Sequence, residues 1–444
     1  MENTDNNLME KITSLAKRRG FIFQGSEVYG GLAGTYDYGP LGVSLKNNIK
    51  NSWWKKFADN REDMYGIDAS ILMNANVWKA TGHVDNFSDP MVECSKCKKR
   101  FRADQIIDME ICAECGGKLG EEKKFNMMFA TQIGAVEDSS ATVYLRPETA
   151  QGMFVNFKNV MDSIHPKLPF GLAQIGKAFR NEITPRDFIF RQREFEQMEI
   201  EFFLHPNDWE KYFTYWRAEM LEWMESIGID MNSVYELEVE GKDLAHYSSR
   251  TIDFEFEFPF GRKELYGLAY RTDFDLQTHA KNSTVDLSYF DDETKERLVP
   301  HVIEPSFGVD RTVLALLVSA YKEEVKGEDV RPYLALRPSI APVICAVSPL
   351  LKNKPELRDY ANKVYRMLKN EFGRVMWDDN GNIGKRYRRQ DEIGTPWCIV
   401  IDFDTLGEEN PEHKDTVTVR DRDTGTQERI KKDELVEYIK ERMN

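Results

Sequence analysis

The stretch RNEITPRDFIFRQREFEQME, Arg180 to Glu199, sets four arginines among glutamates and phenylalanines on both sides of a Thr-Pro turn. Its flanks, LAQIGKAFR and REFEQMEIEFF, read as two strands of an antiparallel hairpin joined by the long loop ITPRDF. Strand side chains alternate faces, so Arg180 and Glu182 share one face, and Arg191, Phe195 and Glu199 share one on the partner strand. A guanidinium can grip a phosphate with two hydrogen bonds, an aromatic face can stack a purine, and a carboxylate can hold an ammonium group. The grouping suits a nucleotide and an amino acid held side by side. A hairpin with a salt-bridged outer face is the other reading of the same residues.

Two further groups carry chemistry. Cys94 and Cys97 in CSKC are followed, after fourteen residues, by Cys112 and Cys115 in CAEC. Two tight pairs at that spacing can bring four thiolates around Zn2+ in a closed, structural set, with free thiols as the alternative. The other two cysteines, Cys345 and Cys398, stand alone inside VICAV and WCIVI, which is no disulfide framework and fits a reducing compartment. Near the C-terminus, GNIGKRYRRQDEIGTPW reads as a basic loop placing Lys385, Arg386, Arg388 and Arg389 around Tyr387. It suits unstacked RNA bases and phosphates, or is a solvated charged loop.

These groups need elements to position them. The 444 residues suffice for two or three domains, and 41% hydrophobic with 30% charged residues is an ordinary globular composition. The net charge of −15 confines any nucleic-acid partner to local patches. No apolar run reaches the ~20 residues of a membrane span, and MENTDNNLMEKI lacks a secretory pattern, so a cytoplasmic location is expected. A helix over Leu8–Arg19 should stop at Gly20, and Pro40 should launch a long amphipathic helix through Leu45, Ile49, Trp53 and Phe57. Strands at RTIDFEFEF, KELYGLAYRTDFD and VIEPSFGVD precede the apolar helix RTVLALLVSAY. KEEVKGEDVRPYLALRP resembles an interdomain connection, and beyond it βαβ alternation marks a separate α/β domain of about 100 residues.

FRNE, a loop, and RxxxFxxxE resemble motif 2 of the class II aminoacyl-tRNA synthetases. GLAGTYDYGPLGVSLKNNI is similar to motif 1, which builds that family's dimer interface, and HVIEPSFGVDRTVLALL, with Gly308–Arg311, is similar to motif 3. Together with YGGLAGTYDYGPLG, RPETAQGMFVNF and RTDFDLQTHAK, they resemble the glycine-specific members of the family, single-chain enzymes that form α2 dimers. The resemblance implies an α+β catalytic domain with an antiparallel sheet over residues 1–335, interrupted by a zinc-ribbon-like insertion at 91–120, and an α/β anticodon-binding domain over 336–444.

It also implies roles. ATP would be met by Arg180, Asn181, Glu182, Phe190, Arg191, Gln192, Arg193, Glu194, Phe195, Glu264, Leu265, Gly308, Val309, Asp310 and Arg311, with Arg180, Glu182, Arg191 and Arg311 catalytic. Glu264 is a candidate Mg2+ ligand, or a surface acid at a strand end. Glycine would be met by Arg102, Glu148, Phe195, Glu196, Gln197, Met198, Glu199, Glu304, Pro305, Ser306, Phe307 and Gly308. Arg102 is alternatively a ribbon surface charge, and Glu148 a first-turn helix acid. Glu304 and Ser306 alternate on one strand and point to one face, where their side chains leave room for the smallest amino acid only. The expected activity is ATP-dependent attachment of glycine to tRNA(Gly) through a glycyl-adenylate. A non-catalytic nucleic-acid-binding paralogue, or a synthetase for serine, threonine or proline, are the competing readings.

Overall fold

The computed structural model describes residues 2–443 except 107, 109, 135–140, 242–243, 293, 328 and 409, so two residues of the cysteine-bearing insertion lie outside the described residues. A seven-stranded sheet dominates the first part of the chain. In chain order its strands are β1 (Met64–Gly66), β2 (Phe170–Phe179), β3 (Glu194–Leu204), β4 (Val234–Val239), β5 (Arg250–Phe258), β6 (Gly261–Thr272) and β7 (His301–Gly308). They lie side by side as β4-β5-β6-β7-β3-β2-β1, antiparallel throughout except for β1 on β2. β2 and β3 form the expected hairpin, with Gln174 opposite Glu199 and Ala178 opposite Phe195.

Helices cover both faces. An N-terminal helix, α1 (Glu2–Arg18), leads to α2 (Pro40–Trp54), which starts with Pro40 in its first turn, where a missing N–H costs no bond. A Cβ on Gly42 would stand 1.9 Å from the Phe21 carbonyl oxygen, so only glycine lets α2 pass this close to the preceding segment. On the opposite face lies α3 (Ala150–Ile164), whose Phe154 and Phe157 pack with Phe170 and Phe203. α4 (Trp209–Ile227) buries Phe213, Trp216, Met220, Trp223 and Ile227, one helical stripe, and ends at Gly228 in the left-handed region. α5 (Val309–Ala320) follows β7 directly and packs on α2. The aromatic centre beneath α2, α4 and α5 is Trp53, Phe57, Trp216, Trp223 and Phe307.

The stretch after Tyr321 is not a plain connection: Tyr321–Lys326 and Asp329–Leu334 pair as an antiparallel hairpin. Beyond it, β8 (Cys345–Pro349), β9 (Val375–Trp377), β10 (Trp397–Ile401), β11 (Thr416–Asp421) and β12 (Gln427–Lys431) form a second sheet ordered β9-β8-β10-β11-β12. Its first three strands are parallel, and its own core is closed by α6 (Pro355–Phe372) and a C-terminal helix.

The basic segment expected as a loop is a helix, α7 (Ile383–Glu392), capped where the Asn382 side chain accepts from the Lys385 N–H at 2.9 Å. Its buried residues are Arg386, Gln390, Asp391 and Glu392, so hydrophobic periodicity gave no sign of it. α7 ties the second sheet to the hairpin and to α1. Arg331 reaches Asp391 at 2.9 Å, Arg388 reaches Asp329 at 2.6 Å, and Arg19 reaches Glu392 at 2.6 Å. Among the described residues no helix is long and apolar enough to cross a membrane.

Candidate active site

A cavity of about 320 Å3 opens on the sheet face opposite α2, between the β2–β3 hairpin and the start of α5. Arg180, Glu182, Arg191, Gln192, Phe195, Glu264, Ser306, Gly308 and Arg311 all line it. The strand-face argument holds for Phe195 and Glu199 but not for the charged residues nearer the turn. β2 ends at Phe179 and β3 begins at Glu194, so Arg180, Asn181, Glu182 and Arg191 belong to the connecting loop. The loop brings them together instead. Arg191 pairs with Glu182 at 3.4 Å, and Arg193 holds the Ala33 and Glu182 carbonyls at 2.6 and 3.0 Å. The Asn181 N–H donates to the Met127 carbonyl at 2.8 Å, while Glu194 reaches out of the site to Lys177 at 2.7 Å.

The Arg180 guanidinium lies 5.2 Å from the Phe195 ring and 5.5 Å from Phe87, and donates to the Pro147 carbonyl at 3.1 Å. At the other end Arg311 lies 4.6 Å from the Phe190 ring and contacts the Glu264 carboxylate at 3.1 Å. That guanidinium holds Glu264 below the usual carboxylate range. Nearby, burial together with Glu264 and Glu255 pushes Asp253 up to about 7 against the pull of Arg311. The cavity thus has cations stacked on rings at both ends and oxygen donors at its rim.

An acidic cluster adjoins its wall, where Glu199 lies opposite Ser306 on the neighbouring strand and accepts from the Gln197 amide at 3.4 Å. Carboxylate oxygens of Glu199, Glu201 and Glu304 lie within 4.8 Å of one another. Arg271 is their buried partner, meeting Glu304 at 2.9 Å and Asp275 at 2.7 and 2.9 Å while stacking 3.8 Å from the Tyr247 ring. Burial, opposed by Arg271 and reinforced by Glu199 and Glu148, pushes Glu304 up to about 8. Burial and Glu304 drive Glu201 well above its ordinary value. Burial and Glu148 also raise Glu199, whose carboxylate accepts from the Thr149 hydroxyl. Glu148 goes the other way: despite burial, His83, Arg271 and Gln151 hold it far below the carboxylate range. It precedes α3, whose N-cap is Thr149.

Strand alternation sorts the remaining expected residues. Glu304, Ser306 and Gly308 occupy alternate positions of β7 on the cavity side, and Ser306 borders the cavity. Phe307, Val309 and Met198 belong to the aromatic core instead, and Pro305 is buried on the same alternate positions. Their side chains pack the sheet and do not face a ligand. Glu196 pairs with Lys46 and Lys50, each at 3.1 Å, on α2. Asp310 accepts from Tyr38 at 2.5 Å, Lys46 at 3.0 Å and the Glu196 N–H at 2.8 Å. These two acids bolt α2 to β3 and α5. Leu265 and Phe190 are core residues that border the cavity, and Gln197 borders it too.

Sequence reading missed Arg271, Glu201, Asp275 and His83. The signal for Arg271 and Asp275 was their i,i+4 spacing inside RTDFD; nothing in the pattern marks charges as buried.

The insertion and the segments flanking it supply a wall. Phe87, Asp89, Arg102 and Met127 line the cavity, with Arg102 paired to Asp89 at 2.6 Å and Asp104 at 2.8 Å. At its tip Cys94 and Cys115 Sγ lie 3.5 Å apart and Cys97 and Cys112 Sγ 3.8 Å apart, all four within 4.8 Å. Four sulfurs ~2.3 Å from a tetrahedral Zn2+ would be separated by roughly 3.8 Å, so the cluster fits that ion. The Cys97 N–H donates to Cys94 Sγ, a bond that favours the thiolate a metal ligand must be.

On α7, Arg386 donates to the Pro349 carbonyl at 2.5 Å and Arg389 pairs with Asp378 at 2.6 Å. With Arg388 on Asp329, three of the four expected cations are engaged within the protein. Lys385 is exposed.

The sequences of both units match known protein families. Residues 129–320 match the model of the tRNA synthetase class II core domain (G, H, P, S and T), and residues 344–442 match the anticodon binding domain. The class is thus a class II tRNA synthetase core joined to an anticodon-binding unit. Full-length relatives narrow it: glycine–tRNA ligase of Acetivibrio thermocellus is 50% identical over 97% of both chains. Those of Caldanaerobacter subterraneus subsp. tengcongensis and Clostridium kluyveri are 50% and 49% identical over 98% of both chains. The chain belongs to the glycine–tRNA ligase family.

Proposed function

We propose that this protein attaches glycine to tRNA(Gly) in two steps. In the first, a glycine carboxylate oxygen attacks the α-phosphorus of ATP, the bond to the bridging oxygen breaks, and pyrophosphate leaves. In the second, a terminal ribose hydroxyl of the tRNA attacks the glycyl carbonyl and AMP leaves. Neither step needs a protein nucleophile, so positioning and charge stabilisation carry the catalysis.

The single observation that carries this reading is the juxtaposition of ring-stacked Arg180 and Arg311 in one cavity with the buried acids Glu199 and Glu304, which adjoin Ser306 of the cavity wall. Arg180 would bridge substrate carboxylate and α-phosphate, Phe195 would stack adenine, and Arg191 and Arg311 would hold the outer phosphates, with Glu182 orienting Arg191. Glu148, Glu199 and Glu304 would receive the ammonium group, and Ser306 would crowd the α-carbon. Glu264, half-exposed at the rim, is the residue that would hold Mg2+, whose charge would offset that of the phosphates. Zn2+ on the four cysteines would be structural, because no ligand position remains for water. We assign tRNA to the second sheet domain, place the protein in the cytoplasm and expect a homodimer, the state of the enzymes its first motif resembles.

The test is ATP–pyrophosphate exchange with glycine beside alanine, serine, threonine and proline. Exchange with glycine alone is expected. Folded protein that exchanges with none of them would refute the reading in favour of a non-catalytic RNA-binding role.

A further inference from the structure

His83 opens a short helix immediately before the cysteine-bearing insertion. Its ring is packed edge-on to Trp78 at 5.4 Å and against Phe87 at 5.6 Å, and its side chain is 10% exposed. Nδ1 stands 2.7 Å from the Thr81 hydroxyl, and Nε2 faces Glu148 Oε1 at 3.5 Å.

The proton inventory fixes what Nε2 does. Thr81 has one hydroxyl proton and two kinds of acceptor: the ring nitrogen, or the Val77 and Trp78 carbonyls at 3.1 and 3.4 Å. If the proton goes to Nδ1, the neutral ring carries its own proton on Nε2. If it went to a carbonyl, Nδ1 would donate to the Thr81 oxygen and the neutral ring would turn an Nε2 lone pair on the Glu148 carboxylate, a repulsive contact, so the geometry favours the first arrangement. In that arrangement an N–H points at Glu148 Oε1.

The same oxygen takes a second donor. Gln151 Nε2 reaches Glu148 Oε1 at 3.0 Å, and its amide orientation is set by His279 Nε2 on Gln151 Oε1 at 2.8 Å and by Asp275 at 3.0 Å. Among the described residues no donor reaches Oε2. Gln151 at 3.0 Å and His83 at the longer 3.5 Å therefore both face one oxygen and leave the other open beside the acids of the pocket. Glu148 interacts with both Glu199 and Glu304.

We propose that His83 is a positioning residue for the amino acid: it clamps Glu148 through Oε1 so that Oε2 is presented to the substrate ammonium. The assignment rests on the glycine-activating function proposed above. It also gives the segment leading into the insertion a part in substrate recognition, since Asn126 at the far end of the insertion donates to the Val84 carbonyl at 2.6 Å.

The test is pyrophosphate exchange by wild type, His83→Ala, His83→Gln and Thr81→Val, with KM measured separately for glycine and ATP. Loss of a hydrogen bond to a charged group should raise the glycine KM of His83→Ala roughly tenfold or more, with the ATP KM within about twofold. The glutamine amide can donate in place of Nε2, so His83→Gln should recover most of that loss. Thr81→Val, one bond further from the pocket, should shift glycine KM in the same direction by less. An unmoved glycine KM in His83→Ala, a joint rise of both KM values, or a glutamine variant as impaired as the alanine one would overturn the assignment. Wild-type protein without glycine-dependent exchange would instead overturn the function beneath it.

Discussion

Arg271 is the cation on which the acidic end of the site depends, and replacing it with methionine isolates its contribution. The side chain is 1% exposed, and so are its partners to within a few per cent: Asp275 at 2% and Glu304 at 8%. It makes two bonds to Asp275, one to Glu304, and stacks on Tyr247 and Phe154. Methionine keeps most of the apolar bulk, so the change leaves the buried Asp275 carboxylate without its counter-charge and Glu304 without its donor. Breaking a buried pair in this way costs about 3–5 kcal/mol. For a cooperative unit of roughly 330 residues, at ~2.1 cal/mol/K per residue, the unfolding entropy is about 0.7 kcal/mol/K, and the expected fall in Tm is about 4–7 °C. Scanning calorimetry of the substrate-free protein near neutral pH measures it. Adding Asp275→Asn to the methionine variant should return part of the loss, because the charge stranded beside the lost guanidinium is removed. A fall of under about 1 °C, or a double variant less stable than the single one, would refute the claim that this guanidinium offsets the charge of the pocket.

Three other expectations follow from the geometry. Ser306→Gly removes the side chain that would crowd the α-carbon, and discrimination of alanine from glycine in pyrophosphate exchange should fall by about 10- to 100-fold; unchanged discrimination would remove Ser306 from the specificity argument. Protein purified without chelator should carry close to one zinc per chain by metal analysis. Stripping the ion should release the wall formed by Phe87, Asp89 and Arg102 and raise KM for both substrates, whereas a far lower zinc content would refute the four-thiolate site. Asp253 has a folded value of about 7, raised by burial and by Glu264 and Glu255, above an unfolded value near 4. Between those limits the folded state binds the extra proton, so this group's contribution is present at low pH and lost as pH rises towards 7. Asp253→Asn should therefore flatten the decline of Tm between about pH 5 and 7.5, and parallel profiles would contradict the assignment.

The parts of this molecule legible in its sequence are those written in apolar periodicity. The β2–β3 hairpin, the helix launched by Pro40 and the β7–α5 junction all announce themselves by period 2 or period 3.6. The features that escaped are those in which charge, not hydrocarbon, is buried. α7 was read as a loop because its inward face is Arg386, Gln390, Asp391 and Glu392, each answered by a specific partner that sequence spacing cannot display. Arg271 and Glu201 escaped for the same reason, and His83 because a histidine in a short connecting helix carries no periodic signal at all. The period-2 rule still divides the site correctly once the strands are known. It sends Glu304 and Ser306 to the face that bears the cavity and Phe307 to the core, and Glu199 to that same face while Met198 joins the core. What it cannot supply is the charge balance. Glu148, Glu199, Glu201, Glu304 and Asp275 converge on one buried guanidinium, and burial together with their mutual repulsion shifts three of these acids upward against its pull. Under the glycine-activating role proposed above, an ammonium group beside these acids would supply the missing positive charge. Such a site would discriminate first for an amine, and only then, through Ser306, for the amine with the least attached to its α-carbon.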